Sequence, residues 1–303
     1  MGYNCVVLVK QVPDTQRISG KVMNDDGTVN RAALPAIFNP EDLNALEMAL
    51  QIKDKYGGTV TAITMGLPTA ANTLRQALYR GADEAILVTD RKAAASDTLA
   101  TSYILSCAIR KLDYDIVLCG RQAIDGDTAQ VGPQAAEKLG LTQISYVEEL
   151  DEIVDGRISV KRSLGNGWQK VRTRLPVLLT VLDTANEPRV AAAKKLMKHK
   201  IAQAPLEISQ SLKQDNPGAS EEELAELIKM KTELLEKRGS LIQQWDLETL
   251  QADLQWCGRS GSPTKVHRIQ SVVLAGKDVK EIEPTEAGIA AMIHELIEDK
   301  IIA

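Results

Sequence analysis

Aromatic residues and long apolar segments are both scarce in this 303-residue sequence. Phe38 is the single phenylalanine, so a flat ligand ring would be held mainly by backbone and aliphatic contacts. No segment approaches the roughly 18 apolar residues of a membrane-spanning helix. The apolar run at residues 6–9 is too short for a secretory signal, and we therefore expect a cytoplasmic protein without membrane insertion.

Metal-binding and nucleic-acid-binding patterns are also missing. The four cysteines are far apart without a CxxC pair, and we expect them to be buried, reduced thiols. The histidines His199, His267 and His294 fall in polar contexts without ligand spacing, so no zinc site is predicted. A net charge of −5, with the cationic residues spread along the chain, argues against a nucleic-acid-binding protein.

Strand-like apolar runs alternate with helical patterns through the first 150 residues. The predicted strands cover residues 3–10, 59–65, 84–88 and 116–119. The predicted helices cover residues 39–56, 69–80 and 96–111. This alternation predicts an α/β fold with a parallel sheet and right-handed crossovers. Ligands bind at the carboxyl ends of such strands, which would place Lys10 and Gln11 beside Thr64, Met65 and Gly66.

The stretch that organises the chain is GRQAIDGDTAQVGPQ at residues 120–134. It reads as a strand end, a glycine-bearing loop and a helix start, which together present free N–H groups and a positive dipole end to a phosphate. We expect Asp127 and Thr128 to cap the helix, and Gln122 and Gln130 to offer amide groups to a ligand. Taken alone, the pattern fits an ordinary strand-to-helix connection equally well.

Two groups of acidic residues can be explained by structural roles. Asn39-Pro40, followed by two acids, predicts a helix start with Asn39 as the N-cap and the acids facing the helix dipole. Asp125 and Asp127 have no histidine nearby, a pattern more typical of turns or of ribose contacts than of a metal site. Because carboxylates repel phosphate, we assign the phosphate to backbone N–H groups.

Two familiar nucleotide motifs are absent. No GxGxxG follows the first predicted strand and no GxxxxGK[ST] occurs, so neither the usual dinucleotide fingerprint nor a P-loop is present. The pattern resembles the adenine-nucleotide-binding fold of universal stress proteins and ATP-pyrophosphatases. Lys-Gln-Val-Pro-Asp stands where those synthetases carry a serine- and glycine-rich loop, which argues against adenylation. We expect a nucleotide-binding domain at residues 1–203, and a helical insertion with a C-terminal subunit-contact arm at residues 204–303.

Four ordered motifs resemble the beta subunit of electron-transfer flavoproteins. The most specific is QAIDGDTAQVG at residues 122–132. The others are VKQVPD at residues 9–14, NPED at residues 39–42 with Glu47, and LP at residues 175–176 followed by NEPR at residues 186–189. The resemblance implies a flavoprotein alpha subunit as partner and no catalytic side chain, because the cofactor carries the redox chemistry.

The resemblance also implies a nucleotide site. Its residues would be Val9, Lys10, Gln11, Asn39, Thr64, Met65, Gly66, Gly120, Gln122, Gly126, Asp127, Thr128, Ala129, Gln130 and Val131. The stretches at residues 9–15, 64–66 and 262–265 are more similar to the group that binds FAD and bifurcates electrons from NADH to ferredoxin and a higher-potential acceptor. The alternatives are a non-bifurcating subunit that holds structural AMP, and a nucleotide-binding regulator of the universal-stress type.

The later part of the chain carries partner-binding signals. The residues from 186 to 200 predict a basic helical stretch, which alone fits a solvated helix face equally well. In the family this segment docks onto acyl-CoA dehydrogenases, although this chain has three alanines in place of the leucine anchor. Hairpins are predicted at residues 23–31 and 158–173, with a buried strand at 177–182. Ser220 and Glu223 form a capping-box pattern before an apolar helical stripe, and a closing helix is predicted from about 285 to 300.

Overall fold

A computed structural model describes residues 2–14, 35–264, 281–298 and 301 of the chain. The strands are β1 (Cys5–Leu8), β2 (Gln11–Pro13), β3 (Ala36–Phe38), β4 (Val60–Met65), β5 (Glu84–Val88), β6 (Ile116–Gly120), β7 (Thr142–Val154), β8 (Arg157–Ser163), β9 (Trp168–Arg174), β10 (Val177–Val181) and β11 (Gln243–Trp245). The helices are α1 (Pro40–Tyr56), α2 (Ala71–Arg80), α3 (Thr98–Ile109), α4 (Val131–Leu139), α5 (Ala193–His199), α6 (Pro205–Asp215), α7 (Glu221–Lys237), α8 (Gly258–Gly261) and α9 (Glu286–Glu298).

A nine-stranded sheet in the order β11-β5-β4-β1-β6-β10-β7-β8-β9 forms the centre of the molecule. Every pair from β11 to β7 is parallel, and β8 and β9 add an antiparallel hairpin at one edge. The predicted α/β class with a parallel sheet is therefore confirmed. The hairpin predicted around residues 158–173 is also present and extends the sheet.

The central strands are apolar because helices cover both sheet faces. Every residue of β1, β6 and β10 is buried. One core cluster contains side chains of α1 and α2, and a second contains side chains of α3 and α4. Strands covered on both sides require continuous apolar sequence rather than alternation. This explains why these short runs were recognisable in the sequence.

The strand order reverses at β1. β1 pairs with β4 on one side and with β6 on the other, both in parallel. Chain segments that leave two such neighbours diverge to opposite faces, which opens a crevice at the carboxyl ends of the strands. The loops after β1 and β6 border that crevice.

Several local predictions need correction. β7 was not predicted, and its register shifts at two places against β8, which interrupts the regular alternation of a strand. The helix predicted from residue 186 begins at Ala193. His199 is buried rather than in a polar setting, with 5% of its surface exposed. The hairpin predicted at residues 23–31 lies outside the described residues.

The C-terminal region adds to the same sheet. β11 pairs in parallel with β5, so part of residues 204–303 joins the main sheet. The predicted domain boundary after residue 203 stays a prediction. The capping box at Ser220 and Glu223 is confirmed. No helix in the part of the chain that the structure describes is long and apolar enough to cross a membrane.

Candidate nucleotide-binding site

The crevice brings together the carboxyl ends of β1, β4 and β6. The predicted ligand residues at these ends are Val9, Lys10 and Gln11 after β1, Thr64, Met65 and Gly66 at β4, and Gly120, Gln122, Gly126, Asp127, Thr128, Ala129, Gln130 and Val131 at and after β6. The Gln11 amide donates to the carbonyl of Thr69, 3.1 Å away, beyond β4. The Lys10 ammonium contacts Asp125 in the loop after β6 at 2.7 Å. These contacts join all three ends.

Asp42, in the first turn of α1, ties β1 to β6. Its Oδ2 accepts a hydrogen bond from the backbone N–H of Lys10 at 2.9 Å, and its Oδ1 accepts one from the N–H of Gly120 at 2.9 Å. Burial raises the pKa of this carboxyl to about 7, although both backbone donors favour the ionised form. One buried side chain therefore holds the two strand ends that border the crevice.

Asn39 and Glu41 hold the loop after β6 in the same way. The Asn39 Nδ2 donates to the carbonyl of Gln122 at 2.9 Å, and its Oδ1 accepts from the N–H of Ile124 at 3.1 Å. Glu41 accepts from the Gln122 N–H at 3.0 Å and from the Arg121 guanidinium at 2.6 Å. Asn39 is the N-cap residue of α1 as predicted, but its side chain makes no capping hydrogen bond, because both polar atoms face the loop instead. We call Asn39, Glu41 and Asp42 the α1 brace.

The loop reaches α4 without the predicted caps. α4 begins at Val131 with no side-chain cap, so the capping roles expected of Asp127 and Thr128 are wrong. Asp127 instead accepts a hydrogen bond from the Gln122 amide at 3.0 Å. Gln130 accepts one from the hydroxyl of Thr98 at 2.8 Å. Both glutamine side chains are thus tied within the chain.

Backbone N–H groups at the start of α4 are free. Within the described residues, no acceptor contacts the N–H groups of Thr128, Ala129, Gln130, Val131 and Gly132. Asp127 and Ala129 have φ angles of 47° and 53°, a conformation uncommon for residues with a side chain. Successive residues in such alternating conformations can form a concave set of donors for an anion. The loop therefore offers donors that are aligned with the positive end of a helix dipole.

Two glycines are required by close packing. A Cβ at Gly120 would lie 2.6 Å from Asp42 Oδ1, and one at Gly132 would lie 2.7 Å from the Cys119 sulfur. A Cβ at Gly126 would meet nothing within 4 Å. Gly120 and Gly132 thus let the loop and α4 pack closely, whereas Gly126 lies in open space.

The end of β4 supplies another polar group without a partner. The Thr64 hydroxyl is buried, and it has no hydrogen-bond partner among the residues that the structure describes. Gly66 donates its N–H to the carbonyl of Val88 at 3.0 Å, so this N–H is not free. An unpaired buried hydroxyl at the carboxyl end of β4 fits a polar ligand in the crevice.

A C-terminal segment is anchored near the rim. The Thr264 hydroxyl donates to Asp97 at 2.6 Å, and the Asp97 N–H donates to the Ser262 hydroxyl at 2.8 Å. Asp97 also caps α3 by accepting from the Ala100 N–H. The next residue, Thr98, contacts the loop through Gln130. Residues 262–264 therefore lie close to the nucleotide loop.

The cysteines of the central strands are not nucleophiles. Cys119 is buried in β6, and burial raises its thiol pKa well above the ordinary value. Burial likewise raises the pKa of Cys5 to about 12. All four cysteines are free and buried, as predicted. Thiolates do not form at such pKa values near neutral pH, so Cys5 and Cys119 are structural residues of the core.

Glu47 and the NEPR stretch form a separate structural contact. The Glu47 carboxylate accepts from the Arg189 guanidinium at 2.8 Å and from its N–H at 3.0 Å. The Asn44 amide donates to the carbonyl of Asn186 at 2.7 Å. These bonds fix the segment before α5 onto α1, and explain why residues 186–192 are extended rather than helical.

The contacts that sequence reasoning missed connect distant parts of the chain. Glu41 and Asp42 were predicted only to face a helix dipole, yet they bind residues about 80 positions later. Acids after Asn-Pro are typical of any helix start, so the local sequence gives no signal for these contacts. Only the recurrence of the pattern within a known family suggested a role at the site.

Comparison with known proteins agrees with this geometry. The model of the electron transfer flavoprotein domain matches residues 26–207. An electron transfer flavoprotein subunit beta of Clostridium acetobutylicum is 38% identical over 300 residues, which cover 99% of this chain and all of that protein. Protein FixA of Sinorhizobium fredii is 38% identical over 301 residues, 96% of this chain and 91% of that protein.

A third relative is more similar over a shorter stretch. The acryloyl-CoA reductase electron transfer subunit gamma of Anaerotignum propionicum is 48% identical over 196 residues, 63% of this chain and 72% of that protein. The family model covers the ends of β4 and β6 and the loop after β6. The chain therefore belongs to the electron transfer flavoprotein family and is related over nearly its whole length to that family's beta subunits.

Proposed function

We propose that this chain is the beta subunit of an electron-carrying flavoprotein and that its crevice binds FAD. The main observation that supports this proposal is the row of free N–H groups from Thr128 to Gly132 at the start of α4. Backbone donors at a helix start suit a pyrophosphate, and they need no lysine or magnesium ion to do so. The chain then serves in electron transfer without a catalytic side chain of its own.

The residues of the crevice fit this cofactor. The N–H groups after Asp127 would hold the pyrophosphate, and the buried Thr64 hydroxyl would gain the partner that it lacks. When bound, FAD supplies hydride and one-electron chemistry, and the protein supplies placement and electrostatics. The Lys10–Asp125 ion pair ties the loop to the end of β1, while the α1 brace fixes the two strand ends.

FAD is favoured over AMP by the C-terminal segment. Residues 262–264 are anchored by Asp97 beside the loop, so the chain contributes structure to the rim beyond the adenine nucleotide loop itself. With FAD bound, NADH is the proposed electron donor. Ferredoxin and a higher-potential acceptor of the acyl-CoA dehydrogenase type are the proposed acceptors.

The C-terminal arm is proposed to bind a flavoprotein alpha subunit. Ile289, Ile293 and Ile297 follow one face of α9, and they are 48%, 43% and 49% exposed. No residue of α9 is buried. An apolar stripe spaced four residues apart is typical of a helix that packs against another surface. We assign that surface to the alpha subunit.

The segment before and within α5 is proposed to meet the higher-potential acceptor. Val190 and Met197 are 84% and 60% exposed, while Arg189 anchors the segment through Glu47. An exposed apolar surface on an anchored segment suits a transient docking contact.

Co-purification with the alpha subunit tests the proposed function. The visible spectrum of the heterodimer should show a second flavin per dimer beyond that of the partner. NADH should then reduce ferredoxin under anaerobic conditions when the higher-potential acceptor is present. One flavin per dimer, with AMP released on denaturation, would contradict the FAD proposal and support the structural-AMP alternative.

A further inference from the structure

A groove outside the crevice has the chemistry of a second binding site. Its volume is about 560 Å³, and it lies between α2, the turn that links α5 to α6, and α7. Cavities of several hundred Å³ accommodate small organic ligands. No residue of the predicted nucleotide site lines this groove.

The wall of the groove formed by α2 and α6 is fixed by an ion pair. Arg75 contacts Glu207 through two hydrogen bonds of 2.9 and 3.0 Å, and it also donates to the carbonyl of Ala202 at 3.0 Å. The charge of Arg75 is therefore neutralised within the protein. This pair fixes one wall of the groove. It does not neutralise the other cations that line the groove.

Three cations that line the groove have no partner. Within the described residues, the side chains of Lys200, Lys231 and Arg238 make no ion pair or hydrogen bond. Their neighbours one helical turn away are apolar: Leu227, Leu234 and Leu235 flank Lys231, and Leu196 precedes Lys200. A lysine on an exposed helix is commonly accompanied by an acid at this spacing.

Two lysines on the same helix give the contrast. Lys229 and Lys237 lie on α7 but do not line the groove, and Glu233 stands four residues from each of them. Lys231 has only apolar neighbours at that spacing. Glu207, the acid that lines the groove, is paired with Arg75, which leaves Lys200, Lys231 and Arg238 as the unpaired cations of the groove within the described residues.

Apolar side chains separate these cations. Leu234 and Ile201 line the groove and are 47% and 38% exposed, while Leu235 beneath them is buried. Leu235 belongs to the apolar stripe predicted for this helix, and it is the one residue of α7 that is buried. The uncovered part of the stripe provides contact area for an alkyl chain between charged ends.

We propose that the groove binds an amphipathic anion, a phosphate or carboxylate group joined to an apolar chain. The anionic group contacts Lys200, Lys231 and Arg238, and the apolar chain covers Ile201 and Leu234. A ligand with only a charged group, or with only an apolar chain, would contact only part of this surface. The site is independent of the nucleotide crevice and of the proposed electron transfer.

Calorimetric titration of the full-length chain with octyl phosphate, below its micelle concentration, tests the proposal. Octyl phosphate should bind, whereas inorganic phosphate and the uncharged octyl glucoside should bind at least about tenfold more weakly. Equal binding of inorganic phosphate would overturn the amphipathic assignment. Binding of an acidic peptide, with none of octyl phosphate, would replace the small-molecule site with a protein-docking site.

Matched variants locate the binding. Lys231→Ala combined with Arg238→Ala should weaken octyl phosphate at least about tenfold, because each removes a charge-assisted contact. Lys229→Ala should have no effect, and Lys231→Arg should retain binding. The nucleotide content and circular dichroism of all variants should match those of the parent chain. Unchanged affinity in the double variant would overturn the proposal.

Discussion

The nucleotide crevice and the region from residue 190 onward use their side chains in opposite ways. In the crevice, each polar side chain of the α1 brace is bonded to another part of the same chain. Beyond residue 190, Met197, Met230 and Ile289 are 60%, 62% and 48% exposed. Within the described residues, the first region is completed internally except for its free N–H groups and the Thr64 hydroxyl. The second presents apolar and cationic groups that the described residues leave uncovered.

The two regions therefore suit different tasks: the first suits the binding of a cofactor, and the second suits contact with other molecules. A site that must hold a cofactor gains from fixed donors, because little ordering is needed when the ligand binds. A surface that must meet other molecules has to leave apolar area uncovered. The same chain therefore combines the proposed nucleotide site, which is braced internally, with the proposed contact surfaces, and substitutions in the two regions should have different consequences.

The largest effect is expected from a truncation that removes only the contact region. Removal of residues 285–303 deletes the isoleucine stripe of α9 and should weaken binding to the alpha subunit at least about hundredfold, because several apolar side chains lose their burial. Analytical ultracentrifugation measures the loss. The free energy of unfolding of the isolated chain should not change. An intact heterodimer after truncation would contradict the role assigned to α9.

The next-largest effect is expected from a substitution in the crevice. Gly120→Ala would place a methyl group 2.6 Å from Asp42 Oδ1 and 2.7 Å from Glu41 Cβ, so it should lower the free energy of unfolding by about 1–3 kcal/mol and reduce the nucleotide content. Gly126→Ala is the matched control, because a Cβ there meets nothing within 4 Å. Urea unfolding of both variants makes the comparison. Equal stability would show that the packing around Gly120 can relax.

A substitution at Asn39 distinguishes a brace from a cap. Aspartate is as good an N-cap as asparagine, but Asn39→Asp loses the donor to the Gln122 carbonyl. We expect Asn39→Asp to destabilise the fold by about 1–2 kcal/mol, as much as Asn39→Ala does. Urea unfolding checks this. If the aspartate variant is as stable as the parent, the side chain acts as a cap after all.

The last effect is the pH dependence that Asp42 contributes. Its pKa is raised to about 7 in the fold, from about 4 in an unfolded chain. Between these values the folded state binds more protons, so Asp42 stabilises the fold below about pH 4 and loses this contribution as the pH rises through 7. Unfolding measured at pH 5 and pH 8 should show a decrease that Asp42→Asn reduces. An identical decrease in the variant would assign it to other groups.

The sequence predicted the sheet because its central strands are continuous apolar runs. In the sequence, β1, β5 and β6 are short segments rich in β-branched residues that end at polar turns or glycine. This pattern is typical of buried strands. β7 was missed because its thirteen residues are mixed in polarity and its register is interrupted by bulges. Periodicity detects a strand only where one face or both faces are uniformly buried.

Within the site, the sequence predicted the position of the loop but not what holds it. The free N–H groups follow from the strand-loop-helix order, which is local information. The contacts of Asn39 and Asp42 with residues 120–124 depend on the sheet bringing β1 and β6 together. A pattern within four residues cannot distinguish such a brace from an ordinary helix start.

The central claim is that free amides after β6 hold an adenine dinucleotide. The most direct measurement is to denature the purified heterodimer and identify the released small molecules by mass spectrometry, with the alpha subunit alone as the reference. The account predicts FAD in excess of that released by the alpha subunit. Release of no adenine compound attributable to this chain would contradict the claim.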